Sequence, residues 1–163
     1  MKRIKIFTIS LILAAMLLGV AFAGNTATQS ITFQVNAINE LRVSGNPGTL
    51  VIQTGTAGSE PDTAVDSSTT YNLTTNDTNK KIVGQTNSDM PEYTSLKINL
   101  TAPTGAASEG DRVLSTSPTD LVTGISKKKG TALGITYKFS AQVEAGIVNS
   151  SQRTVTLTVL EGG

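Results

Sequence analysis

The chain has 163 residues, with 13 basic and 12 acidic side chains and a formal charge of +1. It contains no cysteine, histidine or tryptophan, which excludes disulfides, thiol catalysis, thiolate metal sites, Ser-His-Asp chemistry and imidazole bases. The near-neutral balance also argues against electrostatic capture of nucleic acid, which needs a basic face to displace counterions.

The first residues carry an export pattern. Lys2, Arg3 and Lys5 lead into an apolar run from Ile6 to Val20, and Ala21-Phe22-Ala23 places small residues at both positions a signal peptidase reads. Residues 1–23 are therefore expected to form a secretory signal cleaved after Ala23. The run is too short and wrongly flanked for a good transmembrane helix. Residues 24–163 are then one exported domain, secreted or at the cell surface, reached through the periplasm where an outer membrane exists. No membrane span is expected after cleavage. Three of the 13 basic residues fall in the signal, which leaves the exported part slightly acidic.

Strand alternation recurs along that part. Ile31, Phe33 and Val35 alternate with Thr32, Gln34 and Asn36. After Ala37 the apolar phase slips by one, to Ile38, Leu41 and Val43, and such a slip reverses which face is buried. Either a bulge sits there, or the segment before it pairs with something different from the segment after it. Leu50 and Ile52 predict a short strand, and Tyr71, Leu73 and Thr75 another. Ile82 and Val83 follow the turn-like Asn76-Asp77-Thr78-Asn79. Leu96, Ile98 and Leu100 alternate with Lys97 and Asn99. Two longer alternations follow: Leu133 through Val143, and Val155, Leu157 and Val159 among threonines. Turn residues lie between, at Asn46-Pro47-Gly48, Gly55 to Pro61, Pro103 to Gly110 and Lys127 to Gly130. The pattern predicts an all-β, Ig-like antiparallel sandwich of about seven to nine short strands, with a closed barrel as the alternative.

Residues suited to chemistry are sparse. Asp62-Thr63-Ala64 matches the aspartic-protease loop only in part, and it occurs once. Glu92, Glu109, Asp111 and Glu144 show no spacing that singles out a glycosidase pair. Asn76-Asp77-Thr78-Asn79 lacks the acidic count of a calcium loop and reads as a turn closed by Asx hydrogen bonds. Lys127-Lys128-Lys129 reads as a solvated loop. No catalytic residue, metal site or cofactor is expected.

The order of segments is similar to the major subunits of bacterial alternate-chaperone (class 5) fimbriae, the colonisation-factor type pilins. Ser30-Ile31-Thr32-Phe33-Gln34-Val35-Asn36-Ala37 resembles that family's alternating N-terminal strand. Thr75-Asn76-Asp77-Thr78-Asn79-Lys80-Lys81-Ile82 resembles its Thr-Asn-Asp turn leading into a Lys-Lys strand. Val113 to Leu121 resembles its Leu-Ser-Thr segment, and Thr154–Leu160 its last strand. The chain departs from the family in having no proline straight after the first alternation and in its Gly/Ala/Ser stretch near Thr104–Gly110. The resemblance implies an incomplete Ig-like sandwich in which the N-terminal extension of one subunit fills the empty strand position of the next. Ile31, Phe33 and Val35 would be the knobs of a donor strand within residues 24–37. It also implies an export chaperone and an usher as partners, with copies of the chain itself in a homopolymer.

The residues alone leave two readings of that segment: a donated strand, or the first strand of a self-contained sandwich. The function expected is a non-enzymatic structural subunit of a surface filament or extracellular matrix. The alternative is a monomeric binding module or adhesin recognising a glycan or surface protein, with Tyr71, Tyr93 and Lys127–Lys129 as candidate contacts. A carboxylate hydrolase is the third reading.

Overall fold

Period-two segments become strands wherever a neighbouring strand satisfies their backbone groups. The structure, a computed structural model, describes residues 24–163; the expected secretory signal lies outside the described residues. The chain divides into two units, residues 1–34 and Val35–Gly163. In the first unit, residues 24–34 belong to no strand and are exposed throughout.

The second unit is all-β. In chain order its strands are β1 (Asn39–Val43), β2 (Ala64–Thr75), β3 (Lys80–Thr86), β4 (Thr94–Leu100), β5 (Ala107–Ser108), β6 (Arg112–Val113), β7 (Thr119–Ile125), β8 (Lys128–Ala141) and β9 (Val155–Glu161). A single turn of 3-10 helix, Val143–Ala145, follows β8. Two sheets form, with orders β1-β2-β8-β4-β6 and β5-β7-β3-β9, and the ladders are antiparallel. No helix among the described residues is long and apolar enough to cross a membrane.

The two sheets share one core, as in a β-sandwich. Tyr71, Leu73, Leu96, Ile98, Leu100, Ile135 and Tyr137 come from the first sheet, and Ile82, Leu121, Val122 and Ile125 from the second. These are the inward positions of alternating strands, one face on the core and the other on water. Tyr71 is almost wholly buried, and its hydroxyl donates to the Thr101 carbonyl at 2.6 Å. Burial pushes its pKa up to about 12. Close approach matters at Gly84 in β3. A Cβ there would meet Leu121 at 2.7 Å and both Leu114 and Leu157 at 3.3 Å.

Several expectations need correction. Leu50 and Ile52 form no strand, although Leu50 packs against the core. The chain leaves the sheet at Ser44, whose side-chain oxygen accepts from the Thr70 N–H at 3.0 Å while its own N–H donates to the Thr70 carbonyl at 2.9 Å. A side chain thus takes the bond a longer strand would have made. Lys128 and Lys129 belong to β8 rather than to a loop, and β2 begins already at Ala64. Strand β7 has no counterpart in the sequence reading. Its Leu121 and Val122 are consecutive and both fully buried, because the ladder steps from Ile82↔Val122 to Val83↔Asp120 and leaves Leu121 as an extra residue. Such a bulge hides the period of two.

Candidate functional site

Ile31, Phe33 and Val35 are 79%, 89% and 79% exposed, and none of them lies in a strand. They form a row of three exposed apolar side chains outside any strand. The phase slip after Ala37 coincides with the start of sheet pairing, since β1 opens at Asn39.

The root of this segment is held by one side chain. Asn76 follows the last residue of β2. Its N–H donates to the Ile38 carbonyl at 3.2 Å, which continues the β1–β2 ladder by one step. Its Oδ1 then accepts from the Ile38 N–H at 2.7 Å, and its Nδ2 donates to the Asn36 carbonyl at 2.7 Å. An amide carries one acceptor and two donors, so Asn76 imitates a strand backbone for two residues. In the turn Asn76-Asp77-Thr78-Asn79 the Thr78 N–H donates to Asp77 Oδ1 at 2.8 Å and the Asp77 N–H to Thr75 Oγ1 at 3.1 Å. Asn79 takes a left-handed φ of 50°, a conformation asparagine tolerates better than most residues.

Beyond the turn, Lys80 is buried and lies 2.8 Å from Asp77 Oδ2, with Glu161 at the end of β9 as a second partner. Asp77 holds the Lys80 ammonium above its ordinary range, helped by Glu161. The hydrogen bond from Lys80, with the Thr78 N–H, holds the Asp77 carboxyl below its own. The Gly162 N–H donates to the Asn79 carbonyl at 2.6 Å.

The four sheet edges differ in how they are protected. Strands β5 and β6 are two residues each. Strand β1 carries Glu40 and Arg42 among its five residues. Shortness and charge are the usual defences of an edge strand. Strand β9 has neither: seven residues, no proline, and Glu161 alone as a charge at its far end. Its ladder is to β3, and it ends the sheet order. Its inward residues Val155, Leu157 and Val159 are only half-buried beside the core, as is Leu41 of β1.

The other candidate contacts are placed differently. Tyr71 is in the core and unavailable to a ligand. Tyr93 is 48% exposed beside a shallow hollow of about 320 Å³ that includes Glu60, Thr63, Ser95 and Gln142. Three carboxylates are engaged locally. Asp111 binds Lys138 at 2.6 Å and Asn99 at 3.2 Å, Glu109 accepts from Thr123 at 2.8 Å, and Glu60 accepts from the Val143 N–H at 2.8 Å. The open β9 edge and the Asn76 anchor escaped the sequence reading. Both depend on which strands are neighbours, although the missing charge in Thr154–Leu160 was a signal for the first. No family model, no curated protein and no solved structure matches the chain.

Proposed function

We propose that the protein is an exported, non-enzymatic filament subunit that polymerises by strand donation. Residues 24–37 of one copy lie along the outer edge of β9 in another and complete an Ig-like sandwich. The exposure of Ile31, Phe33 and Val35 carries this reading. In water such a row is a liability; against Val155, Leu157 and Val159 it is a missing strand. Each knob buried contributes about 1.5–3 kcal/mol, and strand addition supplies main-chain hydrogen bonds along the joint. The donor segment has no charged side chain, so nothing in it resists entry into an apolar groove. An export chaperone covering the same edge before assembly, and an usher, follow from this reading.

Deleting Asn25–Val35 tests it. Loss of fibres by electron microscopy, with the monomer still folded, is the expected result. Fibres of unchanged length and number reject strand donation. Tyr93 favours a second reading, a monomeric module that binds a glycan or surface protein at its hollow, because an exposed aromatic beside hydroxyl and amide groups suits a sugar face. A stable monomer at high concentration, whose glycan binding is lost in Tyr93→Ala, selects that reading instead.

A further inference from the structure

One short turn reaches both ends of the proposed joint. Through Asn76 it holds Asn36 and Ile38, the root of the donor segment. Through Asn79 and Lys80 it holds Gly162 and Glu161, the end of the proposed acceptor strand. Asn79 Nδ2 also donates to the Gly162 carbonyl at 3.3 Å, and a Cβ on Gly162 would fall 2.5–3.0 Å from Asn79. The turn is fixed from a third side: the Lys127 N–H donates to the Asp77 carbonyl at 2.7 Å, and the Asn79 N–H donates to Ser126 Oγ at 2.9 Å.

We infer that the turn Asn76–Lys80 is the mechanical clamp that passes tension across a subunit, from the strand that receives a donor to the segment that is donated. This rests on the strand-donation reading. In a pulled fibre, load enters a subunit at β9 and leaves through its own residues 24–35. Between these points the main chain runs through the whole domain, so unshielded load would peel β1 from β2, starting at Asn39↔Thr75. The side chains of Asn76, Asn79 and Lys80 form a shorter route. Asn76 is then a positioning residue: its amide holds the Asn36 carbonyl at the root of the donor segment.

The test is lifetime under constant force, in the full exported chain. The protein has no cysteine, so introduced thiols fix the attachment points. One pair, Ser30→Cys and Thr158→Cys, loads the donor segment against β9. A control pair, Glu92→Cys and Thr104→Cys, brackets β4 and loads it away from the turn. Asn76→Ala is expected to shorten the lifetime roughly tenfold or more on the first axis, as for the loss of two hydrogen bonds on the load path. On the control axis its effect should stay within about twofold. Equal shortening on both axes, or none on the first, overturns the clamp. Should Asn76→Ala fail to fold, Asn76→Asp keeps an acceptor for the Ile38 N–H, removes the donor to Asn36, and gives the same comparison. Fibre formation is scored separately on untethered protein. Its absence removes strand donation as the function, while the lifetimes still decide whether the turn bears load.

Discussion

Ile31-Thr32-Phe33-Gln34-Val35 and Leu96-Lys97-Ile98-Asn99-Leu100 are nearly the same sentence in sequence and have opposite fates. Leu96, Ile98 and Leu100 are almost inaccessible, at 7%, 0% and 0%, with β8 on one side of their strand and β6 on the other. Ile31, Phe33 and Val35 are almost fully exposed. Alternation states that a segment can be a strand with one buried face. It does not say which strand lies beside it, or in which molecule. The proposal of strand donation for residues 24–37 rests on this difference.

The strongest way to break the comparison is to place one charge in each segment. Ile98→Asp buries an unpaired carboxylate and is expected to unfold the domain. Phe33→Asp should leave the monomer's stability within about 0.5 kcal/mol of the parent, as for surface changes, yet abolish polymer. Thermal unfolding and electron microscopy on both variants decide it, and a Phe33→Asp protein that melts early would mean the segment is part of the domain's own core. Truncation gives the next effect in size. Leu100→Ala should cost about 2–5 kcal/mol in denaturant unfolding. Leu157→Ala, on the half-buried face of β9, should cost about half as much in the monomer, and more once a donor strand covers it. Equal costs in monomer and polymer would show that no strand joins that edge.

Patterning made most of the fold legible. Tyr71, Leu73, Leu96, Ile98, Leu100, Ile135 and Tyr137 were inward by period two and are core. The failures have local causes. Leu121 and Val122 defeat the pattern because a bulge turns consecutive residues to one side. Leu50 and Ile52 satisfy it without being a strand, because Ser44 has already closed the ladder. Of the candidate site, the alternation of Ile31, Phe33 and Val35 was readable and the Asn76 anchor was not. Nothing in Asn76-Asp77-Thr78-Asn79 says that its first amide reaches back forty residues to Asn36, since long-range pairing is decided by sheet order.

Tyr71 offers a smaller test inside the core. Tyr71→Phe keeps the ring and removes the hydroxyl that donates to the Thr101 carbonyl, so a loss of about 1 kcal/mol is expected. Because the phenol ionises near pH 10 in the unfolded chain and near 12 in the folded one, this difference should stay constant from neutral pH to about pH 9 and shrink above it.

The smallest effect concerns the turn. Asp77 has a folded-state pKa below its unfolded value, first because Lys80 hydrogen-bonds its carboxylate. The unfolded chain therefore binds the proton more readily, and acid favours unfolding. The stability Asp77 contributes is complete above the unfolded carboxyl range, about pH 4, and disappears as pH falls through the lowered folded value. Asp66 and Asp111 are lowered as well, the first by Ser68 and the second by Lys138, so they add to the acid limb with the same sign. Lys80 acts with the opposite sign. Its folded pKa is raised, so its contribution is complete below the unfolded value of about 10.4 and is lost as pH climbs through the folded one. A broad plateau is expected between those limits. In Asp77→Asn the acid limb should become shallower below about pH 4, and the alkaline loss, which still begins near the unfolded lysine value, should be smaller because Lys80 keeps only Glu161. Denaturant midpoints measured across pH for the two proteins check this. Parallel acid limbs would mean that Asp77 is not held by Lys80.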